Sequence, residues 1–144
     1  MQYRLTDITP LNHDVTRLTL SPVAGKPVAY LPGQYLEIIL ADDIRCAYSI
    51  ACAPRIDGSL ELHVRAVPQS DNYVLLANQL VQNAIFEIAL PFGTVHLPDN
   101  EDNGPVLLLA GSTGFSQAKA LIEQWLQQGC PRPLLVYWGG RSPE

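Results

Sequence analysis

The chain has 144 residues, 47% hydrophobic and 16% charged, with a formal net charge of −5. That balance belongs to a folded globular chain with one substantial core or two small ones, not to a disordered segment. Its nine Lys and Arg are scattered among 14 Asp and Glu, which excludes the basic footprint that a nucleic acid or an anionic membrane surface requires.

No run approaches membrane-spanning length, and the first residues pass straight into strand-like alternation with no apolar secretion segment, so a cytoplasmic location is expected. Cys46, Cys52 and Cys130 are odd in number and lack Cys-X-X-Cys spacing. They read as small buried thiols, not as a disulfide framework or a zinc site.

Short strand-like segments come first, at about Gln2–Thr9, Val15–Ser21, Gln34–Leu40, Cys46–Cys52, Ser59–Val67 and Ala84–Leu90, with turn signals such as Pro32-Gly33 and Asp57-Gly58 between them. They predict a small antiparallel barrel or sandwich. Val74, Leu75, Ala77, Leu80 and Val81 recur on a helical period and predict a helix over Asn72–Gln82 that caps one end of the barrel. The polar stretch Pro98 to Pro105 ends the alternation, and it places a boundary between a first domain at 1–98 and a second at 104–144. The paired acids Asp42-Asp43 and those from Asp99 to Asp102 read as solvated turns.

Beyond the boundary come a strand at Val106–Ala110, a helix at Ser116–Gln128 ended by Gly129 and Pro131, and a strand at Pro133–Trp138. This is one βαβ unit. Two parallel strands cannot bury both faces of a sheet, so the second domain is expected to be partial, completed by a partner or by further chain.

The junction Gly111-Ser-Thr-Gly114 follows an apolar strand and opens a helix. Glycines there let backbone N–H groups at the helix N-terminus approach a phosphate, which predicts a dinucleotide; a helix packed closely on a sheet uses the same junction, and the residues alone leave both readings open. Gly114 is not followed by Lys-Ser/Thr, there is no Gly-X-Ser-X-Gly elbow, and the spacing is not Gly-X-Gly-X-X-Gly.

Three further segments, Leu31-Pro-Gly-Gln-Tyr35, Ala47-Tyr-Ser-Ile-Ala51 and Pro91-Phe-Gly93, precede Gly111-Ser-Thr-Gly-Phe-Ser116 and Tyr137-Trp-Gly-Gly-Arg141. In this order they resemble the ferredoxin-NADP reductase superfamily, most closely its bacterial NAD(P)H:flavin oxidoreductase branch. The resemblance implies an antiparallel Greek-key β-barrel that binds flavin, followed by a partial α/β nucleotide-binding domain, with hydride passing from NAD(P)H to flavin N5 in the cleft between them. It implies that Tyr48 supports the flavin and that the Ser49 hydroxyl lies near N5 as the catalytic group. Tyr35, Arg45, Ala47, Tyr48, Ser49 and Pro91 are then the flavin-side residues, and Gly111, Thr113, Gly114 and Phe115 the nucleotide-side residues, with no metal.

Physical chemistry agrees in kind, because an isoalloxazine needs a flat aromatic support and a few hydrogen-bonding groups. Alternation sends Tyr48 and Ser49 to opposite faces of their strand. A core strand in which Tyr48 packs and Ser49 bonds to backbone is the alternative.

Three departures from the family pattern bear on function. The motif arginine belongs two residues before the aromatic, where Cys46 stands; Arg45 lies one residue too early and reaches the flavin phosphate or ribityl region only across a bulge. The stretch Val67 to Tyr73 lacks the glycine of the family's Gly-X-X-Ser/Thr pyrophosphate segment. Charge-assisted contacts of roughly 1.5–3 kcal/mol each are then missing, and the flavin (riboflavin, FMN or FAD) is expected to exchange. Ser112 replaces the second glycine of many relatives and is tolerated if its φ stays negative.

Arg141 reads either as an adenosine-side group or as a solvated strand end, and His13, His63 and His96, outside the matching motifs, receive no role. The activity implied is NAD(P)H-dependent reduction of a diffusible flavin. The alternatives are a reductase component that passes electrons to an iron–sulfur electron-acceptor protein, and a truncated, non-catalytic flavin-binding module. Residues 1–144 alone are expected to be inactive in flavin reduction.

Overall fold

Alternation of apolar and polar residues builds the first half of the molecule. The computed structural model describes residues 1–97 and 104–140. Strands β1 (Gln2–Pro10), β2 (Val15–Pro22), β3 (Tyr35–Ile39), β4 (Arg45–Ser49), β5 (Leu60–Arg65) and β6 (Ile85–Phe92) form one sheet in the order β4-β3-β6-β1-β2-β5. Every pairing is antiparallel. An isolated bridge from Ile50 to Leu62 joins the β4 end of the sheet to β5, so the two edges meet and the sheet curls into a barrel.

The core is the inward set of that alternation. Leu18 and Leu20 on β2, Leu36 and Ile38 on β3, and Leu60, Leu62 and Val64 on β5 are all buried there with Tyr3, Leu5, Phe86 and Ile88. Each such side chain contributes roughly 1.5–3 kcal/mol by leaving water.

Helix α1 (Asp71–Ala77) closes one end of the barrel as expected, but it is shorter than the apolar periodicity predicted. Ser70 caps it by accepting from the Tyr73 N–H at 3.4 Å, and Leu76 is its fully buried residue. The chain leaves the helix because Asn83, at φ +68°, must turn it into β6. The Asn83 N–H donates to Leu5 O, and the Leu5 N–H donates to Ala84 O. These two bonds outweigh continuation of a helix whose Val81 faces water.

The second unit runs β7 (Val106–Gly111), a 3-10 turn (Ser112–Gly114), α2 (Phe115–Gln127) and β8 (Leu134–Gly139). β7 and β8 pair in parallel from Val106 opposite Leu134 to Gly111 opposite Gly139. Ala118, Ala120, Leu121 and Trp125 give α2 a buried face, while Leu109 is 74% and Trp138 61% exposed on the sheet. Most of the boundary stretch expected between the two halves, and Arg141, lie outside the described residues.

Polar contacts join the halves. The Lys119 ammonium donates to Ala51 O at 2.9 Å, the Ala53 N–H donates to Glu123 Oε2 at 2.9 Å, and the Gln117 amide donates to Gly33 O. Gly33 holds φ +101° and lies so close to Val95 that a Cβ would sit 2.6 Å from its carbonyl oxygen, so only glycine fits. Gln34 accepts from the Leu31 N–H and donates to Gly93 O, both at 2.8 Å. The segments around Gly33 and Gly93 therefore form one structural corner beneath α2. Among the described residues, no helix is long and apolar enough to cross a membrane.

Candidate active site

A cavity of about 570 Å³ opens between β4, β5, the start of α1 and the 3-10 turn before α2. That volume lies within the range of small-molecule sites, roughly 300–1,000 Å³. All five residues of β4 border it, as do Thr113 and Gly114 of the glycine turn. Of the expected site residues, the fold thus brings Arg45, Ala47, Tyr48 and Ser49 to the same cavity as Thr113 and Gly114.

The pairing of β3 with β4 is unbroken from Tyr35 opposite Ser49 to Ile39 opposite Arg45. Cys46 and Tyr48 therefore lie on the face of Ile38 and Leu36, which are fully buried, while Arg45, Ala47 and Ser49 lie on the other. Burial, with lesser effects from Cys46 and Tyr73, pushes the Tyr48 phenol up to about 12. It presents a neutral aromatic ring at any working pH.

No bulge re-aims Arg45. Its guanidinium lies 3.2 Å from Glu37 and 3.1 Å from Asp43, both in its own hairpin, and these hold its pKa above the ordinary value. Cys46, at the motif arginine's place, has its sulfur 3.9 Å from Asn72 O, and burial pushes the thiol up. It supplies no charge for a phosphate.

On β5 the residues that alternate with Leu60, Leu62 and Val64 are Glu61, His63 and Arg65, and they line the side of the barrel that faces α2. Glu61 is 6% exposed, with Arg55 at 2.8 Å, His63 Nε2 at 3.0 Å and Lys119 at 3.1 Å. Burial alone would raise this carboxyl, but hydrogen bonds to His63, Lys119 and Arg55 overcome it and hold the pKa at about 2. Arg65 donates from Nε to Asp14 at 2.8 Å and from Nη1 to Ser112 Oγ at 3.3 Å, tying the barrel to the glycine turn.

Ser112 corrects an expectation. Its φ is +49°, not negative, so the side chain occupies a conformation that the glycine of relatives would adopt freely. It is held there by Arg65 and by the Trp138 indole, which donates to Ser112 O at 3.0 Å. Gly111 and Gly114 differ: neither has positive φ, and a Cβ on either would meet nothing within 4 Å. Packing does not demand these glycines, and the open space above Gly114 suits the approach of a ligand.

Ser116, in the first turn of α2, is 3% exposed and borders the cavity, and its Oγ is buried without a hydrogen-bond partner. A buried hydroxyl left unsatisfied costs roughly 1–3 kcal/mol, which a bound polar group would relieve. With the Tyr48 ring, the Ser49 hydroxyl and the volume, this makes the residues fit a flavin ring and a nicotinamide. At the start of α1, the Ser70 hydroxyl accepts from the Tyr73 N–H, and no glycine stands in the stretch Val67 to Tyr73.

Four other expected residues do not border the cavity. Tyr35 stacks on Phe92 at 5.5 Å, and Pro91 precedes that phenylalanine in β6. Gly111 ends β7, and Phe115 stacks on Trp138 at 4.4 Å, bracing the turn. Glu61, His63, Arg65, Lys119 and Ser116 were not anticipated. The signal was the period-2 polar face of β5, which reads as solvated unless the position of α2 is known.

A family profile described as "Oxidoreductase FAD-binding domain" matches residues 2–97. The chain is 35% identical over 136 residues to a CDP-6-deoxy-L-threo-D-glycero-4-hexulose-3-dehydrase reductase from Yersinia pestis, covering 94% of this chain and 40% of that protein. It is 32% identical over 148 aligned residues to an NAD(P)H-flavin reductase from Vibrio harveyi, covering 99% of this chain and 61% of the relative. Among solved structures, an Amycolatopsis cytochrome P450 reductase superposes with a TM-score of 0.84 at 30% identity, covering 99% of this chain and 44% of that one. The chain thus spans between about two fifths and three fifths of the length of these three relatives.

Proposed function

The chain belongs to the oxidoreductase FAD-binding domain family, and from that premise we propose that it holds an exchangeable flavin for reduction by NAD(P)H. One observation carries the reading: Tyr48-Ser49 and Thr113-Gly114, the flavin-side and nucleotide-side motifs, face a single cavity of about 570 Å³. Tyr48 and Ser49 would hold a flavin there, and the flavin would supply the redox chemistry as a hydride acceptor for the reduced nicotinamide.

The chain's own part is positioning. Tyr48 offers a flat, neutral surface on which a ring stacks, and its neutrality follows from a phenol pKa near 12. Ser49, on the other face of β4, provides a hydroxyl proton donor at the cavity wall. Gly114 leaves open the space that a side chain would fill, so a second ring or its phosphate can approach the first turn of α2. Because Arg45 is committed to Glu37 and Asp43, and no glycine precedes α1, riboflavin, FMN and FAD should bind with similar strength.

Single-turnover flavin reduction with excess NADH or NADPH tests the reading. Ser49→Ala should slow it by between about tenfold and ~10³-fold while leaving the melting temperature unchanged. An unaltered rate would remove Ser49 from the chemistry.

A second reading is supported by the matches themselves, since the Yersinia and Amycolatopsis proteins are named as reductases of a dehydrase and of a cytochrome P450. On this second reading, flavin stays with the protein and electrons go on to a protein acceptor. Flavin that remains bound through gel filtration would favour it.

A further inference from the structure

His63 has no part in the mechanism above, yet it borders the cavity from β5 with its Nε2 3.0 Å from Glu61 Oε1. With a pKa of about 2, Glu61 is ionised at any working pH and can only accept. Nε2 therefore carries a proton, pointing at Glu61. Nδ1 has no protein partner among the described residues and is the ring nitrogen left to accept from a ligand.

Ser116 borders the same cavity from the first turn of α2, its buried Oγ likewise without a partner. The charges behind this wall balance: Arg55 and Lys119 stand against Glu61 and Glu123. On this wall His63 and Ser116 offer the ligand one ring nitrogen able to accept and one hydroxyl able to donate. Their complement is an amide, with an N–H for the imidazole and a neighbouring C=O for the hydroxyl.

We propose that His63, its tautomer fixed by Glu61, and Ser116 form an amide-reading pair in the cavity wall. His63 Nδ1 accepts the amide N–H and Ser116 Oγ–H donates to the amide C=O. His63 and Ser116 are binding residues in this arrangement, and Glu61 is a positioning residue. The inference rests on the flavin and nicotinamide reading, since both ligands carry such an amide: the imide edge of the isoalloxazine and the nicotinamide carboxamide.

Paired ligands that differ only at the amide test it. Riboflavin and 3-methylriboflavin are titrated by fluorescence quenching. NAD+ and its 3-acetylpyridine analogue are titrated by calorimetry. In one of these pairs the amide-bearing ligand should bind roughly tenfold tighter to the wild-type protein. That pair identifies the source of the amide.

His63→Leu should bring the preference to about one while leaving affinity for the amide-lacking ligand in place. His63→Gln, which can donate to Glu61 and still accept, should keep most of the preference, and it guards against a fold defect in the leucine variant. Glu61→Gln should weaken the preference by releasing the tautomer, and Ser116→Ala should reduce it. A preference unchanged in His63→Leu, or absent in the wild-type protein for both pairs, overturns the inference. A wild-type protein that binds no flavin at all instead overturns the proposed function.

Discussion

The barrel and the β7–α2–β8 unit solve the same burial problem in different ways. In the barrel, six strands close on themselves and their inward side chains find partners within the sheet. In the second unit, two strands leave Leu109 and Trp138 largely in water, and α2 leans on the barrel through Gln117, Lys119 and Glu123. The barrel therefore carries most of the stability, whereas the cavity depends on the docking of α2. The site lies where a self-sufficient element meets a dependent one.

The largest effect should come from the barrel core. Leu62→Ala, at the bridge that closes the sheet, should cost ~2–5 kcal/mol in urea unfolding, and Leu109→Ala on the open sheet should stay within about 0.5 kcal/mol. Equal losses would mean that the second unit has a core of its own.

Next comes the seam. Lys119→Met leaves Glu61 and Glu123 short of a cation and removes the bond to Ala51 O. It should cost roughly 1–3 kcal/mol and weaken flavin binding at the same time. Loss of stability with flavin affinity intact would separate the seam from the site.

Acid should read the same seam. The Glu61 carboxyl falls from an ordinary 4.5 to about 2 in the folded protein. A depressed carboxylate contributes stability that is full above the unfolded value and is lost as pH falls through the folded one. Stability should therefore decline between about pH 4.5 and pH 2, and Glu61→Gln should flatten that limb. Trp125, buried on α2, reports it by fluorescence, and an acid limb of equal depth in the variant would exclude Glu61 as its source.

The smallest change is expected at Ser112→Gly. Relief of a positive φ, roughly 1–2 kcal/mol, is offset by loss of the bond from Arg65, so the net gain should be under about 1 kcal/mol. A clear destabilisation would show that the Arg65 link matters more than the strained backbone.

The barrel strands were legible because Leu18, Leu20, Leu60, Leu62 and Val64 alternate with polar residues, and one face of each strand is truly dry. Tyr48, Ser49, Thr113 and Gly114 were legible as motifs, and the fold brings them together. Glu61, His63 and Lys119 were not, since a polar strand face looks the same whether water or a helix covers it. The early end of α1 depends on the long-range bonds of Asn83 and Ala84 to Leu5, and the φ of Ser112 on its contacts with Arg65 and Trp138. Periodicity reports neither kind of contact.

Equilibrium titration with riboflavin, FMN and FAD tests whether an exchangeable flavin is held on the Tyr48 and Ser49 wall without a phosphate cradle. The expected result is a protein purified nearly colourless, reversible binding with dissociation constants alike for the three, and roughly tenfold weaker binding in Tyr48→Ala. Stoichiometric FAD retained through gel filtration, a strong preference for FMN over riboflavin, or unchanged binding in Tyr48→Ala would contradict it.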